Sequence, residues 1–154
     1  MIEAEITGGR YHLHRIALAP LLPGATGETL ATASTAAVAS GEPMFQQFLL
    51  EQGLAPLWDA EIKAHQGSLP FSKEFRNRLR QARHQATGAY LAQRESLLHI
   101  RCILEHAGIS HVTFKGADSR ERYYEEPALR PAVDIDLLVA PEHRLAAIRT
   151  PVSY

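Results

Sequence analysis

Asp134 and Asp136 stand two residues apart in the stretch 130–139, RPAVDIDLLV, with apolar residues between and after them. On a β-strand, side chains alternate faces with a period of two. Read as a strand, this stretch turns Ile135, Leu137 and Val139 toward a core and brings both aspartates out on the opposite face. Two carboxylates held this way suit a hard, oxygen-seeking cation such as Mg²⁺. Ionised and unpaired, they repel each other unless solvent or a cation neutralises them. The plainer reading is a strand end whose acids face water, and the spacing alone does not decide. The surrounding sequence strengthens the first reading.

A partner strand is at hand. Residues 111–115, HVTFK, alternate in the same way, with Val112 and Phe114 expected inward and Thr113 and Lys115 outward. Gly116 ends that strand, a short helix follows over about 117–126, and Pro127 and Pro131 forbid its continuation. Pro141 opens a last helical piece, with Glu142 in its first turn and Leu145 and Ile148 on one face.

Upstream, Ser72 caps a long helix with Glu74 in its first turn. Apolar or small residues recur at Phe75, Leu79, Ala82, Ala86, Ala89, Leu97, Ile100 and Leu104, and Gly108 supplies the stop. At 1.5 Å per residue the helix runs roughly 50 Å, so a bend or break is expected near Thr87 and Gly88. Its other face carries Lys73, Arg76, Arg78, Arg80, Arg83 and Arg94. That face is either a surface for phosphate or RNA, or a solvated face with acid partners elsewhere. No series of aromatic residues interleaves with the arginines to form a stacking platform, which favours the second.

Before this helix, Phe45, Phe48, Leu49, Leu54, Leu57 and Trp58 sit near helical spacing. Gly53 separates a first helix from a second over 55–65. Between Pro20 and Pro43 the chain is rich in Ala, Thr, Ser and Gly, a flexible lead-in or a mediocre helix over 28–40. Ile6, Tyr11 and Leu13 trace a short strand broken at Gly8 and Gly9, with His12 and His14 as surface residues on one of its faces. The chain thus divides into a lead-in, 1–43, poorly ordered or marginally helical; a helical region, 44–108; and a small α/β part, 109–154.

With 154 residues, there is material for one domain or one domain and a tail. A net charge of −1, from 16 basic and 17 acidic residues, disfavours nucleic acid and membrane surfaces as partners. The single cysteine, Cys102, excludes an intrachain disulfide and makes a reducing, cytoplasmic compartment the expectation. Cys102 itself reads as a small core or half-buried residue. No apolar run approaches the ~20 residues of a membrane span. Residues 16–22 follow Arg10 and Arg15 like a leader, but Pro20, Pro23, Glu3 and Glu5 argue against one. The eight histidines show no convincing ligand spacing.

The order of strand, Lys115-Gly116, short helix with Tyr123-Tyr124, and RPAVDIDLLV resembles the nucleotidyltransferase superfamily that includes DNA polymerase beta. More closely, it resembles a bacterial family described as uncharacterised nucleotidyltransferases. That family has a helical N-terminal region, an apolar strand ending in Lys-Gly, a helix, and Arg-Pro-x-x-Asp-x-Asp-Leu-Leu-Val. The likeness covers about residues 44–140, most tightly 112–139.

The resemblance implies roles. Asp134 and Asp136 match the metal-binding carboxylates, which hold Mg²⁺ (or Mn²⁺) against a nucleoside triphosphate and the attacking hydroxyl. Gly116 matches the glycine that lets backbone N–H groups approach phosphate oxygens. Lys115 is that family's own variation, an ammonium aimed at the same phosphates. Arg130 either clamps a phosphate or pairs with Asp134 or Glu126. Two departures matter. The wider superfamily has Gly-Ser at the turn, where this chain has Lys115-Gly116-Ala117. It also draws a third carboxylate from a later strand, whereas Glu142 is the sole acid after Asp136. A truncated or fragmentary member is therefore expected.

The expected fold class is α+β: a helical N-terminal half plus a small, incomplete mixed sheet of nucleotidyltransferase type. The expected function is transfer of a nucleoside monophosphate from an NTP to an unknown hydroxyl acceptor. The alternative is a non-catalytic module binding nucleotide, or a protein partner through the helical region. A remnant with an open sheet edge and no stable function is the third reading.

Overall fold

The computed structural model describes residues 11–65 and 69–150. The architecture is α+β, mostly helical with a small sheet. The chain falls into two compact units that divide after Gln85, within a long helix.

In the first unit, residues 11–18 are helical (α1) and are followed by α2 (Gly27–Ala39), α3 (Glu42–Glu51) and α4 (Ala55–Ala64). The first turns of α5 (Lys73–His106) complete it. The strand expected through Tyr11 and Leu13 is thus a helix, while Ile6 lies outside the described residues. Leu13, Ile16 and Ala17 are buried, a spacing of three and four that suits one helical face. The alanine-rich stretch takes its helical alternative. Thr26 and Thr29 cap it reciprocally, and Leu30, Ala33 and Ala37 are buried along one face.

Aromatic side chains bind this unit together. Phe71 and Phe75 stack at 4.2 Å between centroids, and Trp58 meets Phe45 edge-on at 5.1 Å. Trp58 is fully buried, and its indole N–H donates to the Ala17 carbonyl at 2.9 Å. The start of α5 is as expected: Ser72 Oγ accepts from the Phe75 N–H at 3.1 Å, and Glu42 in turn accepts from the Ser72 N–H at 2.7 Å. Several arginines of the basic face have structural work. Arg76 donates to the carbonyls of Leu69 and Phe71, and Arg83 pairs with Asp59 at 3.4 Å.

The second unit begins within α5, which runs unbroken through Thr87 and Gly88. The expected break is absent because one glycine costs only about 1 kcal/mol in a helix of this length. Cys102 is exposed rather than in a core, with its sulfur 3.5 Å from His106 Nδ1. At the C-terminus Gly108 adopts φ +67°. The Ile109 N–H reaches back to the Leu104 carbonyl at 2.9 Å, and both side chains are buried. A Gly108→Ala variant should therefore lose roughly 1–2 kcal/mol to the left-handed backbone, read as a lower urea midpoint.

β1 (His111–Phe114), α6 (Lys115–Tyr123), β2 (Asp136–Val139) and the short α7 (Arg144–Arg149) follow. The two strands pair antiparallel, Phe114 opposite Asp136 and His111 opposite Val139, where a mixed sheet was expected. Opposed residues share a face. Thr113 and Leu137 are half-buried, whereas Val112, Leu138 and Phe114 are 60%, 54% and 44% exposed. The expectation that Val112 and Phe114 point inward is reversed, because a period of two defines two faces without saying which one is covered.

Candidate active site

β2 is shorter than its motif. Strand pairing begins at Asp136, so residues 130–135 form an irregular lead-in and Asp134 lies outside the strand. The cause is the partner: β1 ends at Phe114, opposite Asp136, and the chain then turns into α6, leaving no β1 residue opposite Asp134. The expected strand over 130–139 is corrected to its last four residues, and strand alternation does not set where Asp134 points. Asp134 is exposed and Asp136 is half-buried.

The turn into α6 brings three of the expected residues together. Lys115 takes φ +54°, a left-handed conformation that costs a non-glycine residue about 1–2 kcal/mol. Its ammonium sits 3.5 Å from Asp136 Oδ2 and 5.8 Å from the centre of the Phe114 ring. Gly116 is not the residue with positive φ. Its value is closeness, since an added Cβ would lie 3.3 Å from the Ala132 Cβ on the lead-in. Phe114, at the N-cap, offers no side-chain cap to the first amides of α6. Arg130 is exposed, following the 3-10 turn Pro127–Leu129, with its guanidinium 6.0 Å from the Tyr124 ring centre.

Substitution at Gly116 tests that closeness. Gly116→Val should lower stability by about 1–3 kcal/mol through overpacking against Ala132, seen as a reduced urea midpoint. Gly116→Ala should cost far less, because Ala132 need yield only slightly.

The helix that follows the turn carries a buried charged group. Arg120, on α6, is 1% exposed, donates from Nη1 to Gln93 Oε1 at 2.7 Å, and lies 4.9 Å from the Tyr90 ring centre. Its Nε has no hydrogen-bond partner among the described residues. Gln93 also donates from Nε2 to the Ala132 carbonyl at 2.8 Å. Tyr90 donates to Glu121 at 2.9 Å; partial burial and this hydrogen bond raise its hydroxyl pKa above the usual value. Sequence reasoning missed Arg120 and Gln93, since such residues read as exposed by default.

The donor set fits a small divalent ion. Mg²⁺ is commonly held by one or two carboxylates while phosphate oxygens and water complete its shell. Asp134 and Asp136 could supply the carboxylates. No third His, Cys, Asp or Glu joins them in a metal-holding group among the described residues. An open hollow of about 1200 Å³ lies in the first unit, lined by α1 and α2, and its lining has no such acid pair.

A family model described as an uncharacterised nucleotidyltransferase matches residues 42–150. The match takes in α3, α4 and α5 as well as the strand, turn and DID motif. No curated protein and no solved structure matches the chain significantly. Among the described residues, no helix is long and apolar enough to cross a membrane.

Proposed function

Since the chain belongs to this family of uncharacterised nucleotidyltransferases, we propose that it transfers a nucleoside monophosphate from an NTP to a hydroxyl acceptor with Mg²⁺ or Mn²⁺. The observation that carries the reading is the meeting of Lys115, Gly116 and Asp136 at one turn, in a chain with this family match. In the reaction, the acceptor oxygen bonds to the α-phosphorus, the bond to the β-phosphate oxygen breaks, and pyrophosphate leaves. The hydroxyl proton passes to solvent or to a base.

Each residue has a part. Asp134 and Asp136 would hold the ion, whose charge would offset that of the phosphates and so ease the attack. Lys115, paired with Asp136 in this structure, would be free to turn to the phosphates when a metal ion is bound. The first amide N–H groups of α6, which have no side-chain cap, donate to phosphate oxygens, helped by the helix dipole. Arg130 clamps the outer phosphates.

The absence of a third acid from the pair, among the described residues, favours a second reading: a module that binds nucleotide, or a protein partner, without turnover. Labelled NTPs with Mn²⁺ and candidate acceptors separate the two. Pyrophosphate release supports transfer; metal-dependent NTP binding by calorimetry without release supports the module. Neither signal would remove both.

A further inference from the structure

Gln93 stands between the two segments that make the candidate site. Its Oε1 accepts from Arg120 on α6, four residues past Gly116, and its Nε2 donates to the carbonyl of Ala132, two residues before Asp134. A primary amide can accept at one end while donating at the other; a carboxylate accepts at both. Gly116 also runs close to Ala132, since a Cβ added there would lie 3.3 Å from the Ala132 Cβ. Ala132 is thus tied by a hydrogen bond beside the Gly116 backbone, and the lead-in it belongs to carries Asp134.

We propose that Gln93 is a positioning residue for the metal-binding aspartates, tying the irregular lead-in to the buried Arg120 and so setting it against the Lys115–Gly116 turn. The need follows from the short strand. Among the described residues Asp134 has no ladder hydrogen bonds to fix it, because β2 starts at Asp136. The Gln93 bond to Ala132 does that work from α5. Arg120 in turn keeps the amide in one orientation, since its guanidinium can only donate. The inference rests on the nucleotidyltransferase reading above.

Gln93→Glu separates this role from plain packing. The variant keeps the shape and gives Arg120 a charged acceptor, so α6 stays anchored. It removes the donor and sets a carboxylate oxygen against the Ala132 carbonyl. Three measurements are made on the full chain: the urea midpoint, amide exchange over 130–136 and over α6, and the affinity for Mn²⁺ alone. The expected result is an undiminished midpoint and unchanged exchange in α6. Exchange over 130–136 should be about tenfold faster. Mn²⁺ should bind about tenfold or more weakly, as for other partners that orient metal ligands. Gln93→Ala, which loses both bonds, should loosen the lead-in equally and lower the midpoint as well, so it answers the question even if the glutamate variant folds poorly. Wild-type exchange and Mn²⁺ affinity in both variants would overturn the positioning role alone. A native chain that takes up no Mn²⁺ overturns the nucleotidyltransferase reading beneath it.

Discussion

Replacing Asp134 and Asp136 together with alanine should reduce metal-dependent pyrophosphate release by about a thousandfold or more, because the ion's charge stabilisation, worth several kcal/mol, goes with them. The fold should survive the change. Asp134 is exposed, and the Lys115–Asp136 pair is open enough to solvent (63% and 32% exposed) that losing it costs at most about 1 kcal/mol. Asp136→Asn alone should behave similarly, since it keeps the shape but loses the charge. Lys115→Ala tests a different contribution: with the ammonium gone NTP affinity should fall, while metal affinity at Asp136, freed of its pair, should not. Equal release rates from the double variant and the native protein would take both aspartates out of the reaction.

The other large effect lies in the first unit. Trp58→Ala should cost about 3–5 kcal/mol, the range for deleting a buried aromatic side chain. Trp58 is fully buried between Phe45 and Phe71. Its loss also leaves the Ala17 carbonyl without its donor, a further penalty of roughly 1–3 kcal/mol if water cannot enter. Trp58→Phe isolates that second part, keeping most of the packing and losing the bond. Urea titrations followed by far-ultraviolet circular dichroism should rank native above phenylalanine above alanine. A phenylalanine variant as stable as the native chain would mean that the indole bond contributes nothing.

Local causes were legible in the sequence, and distant ones were not. Ser72 and Gly108 bound the long helix where expected, since a cap and a left-handed stop act through their own neighbours. Thr26 and Thr29 mark the start of α2 in the same local way, though their pairing is easily passed over in an alanine-rich stretch. The length of β2 depends on where β1 stops, which RPAVDIDLLV cannot reveal. The same holds for Val112 and Phe114, whose period was right and whose face was reversed. At the candidate site, Lys115 pairs with Asp136 and Gly116 lies close to Ala132 on the lead-in. Arg120 and Gln93 became visible only once α5, α6 and the lead-in were packed, because a buried guanidinium leaves no periodic trace in a sequence.

Trp58 is the chain's one tryptophan and Cys102 its one cysteine, and they fall on opposite sides of the division at Gln85. The thiol is exposed, so a maleimide acceptor dye can be attached without any substitution. Indole emission transferred to that dye then gives a native optical ruler between the units, read before and after NTP and Mn²⁺ are added.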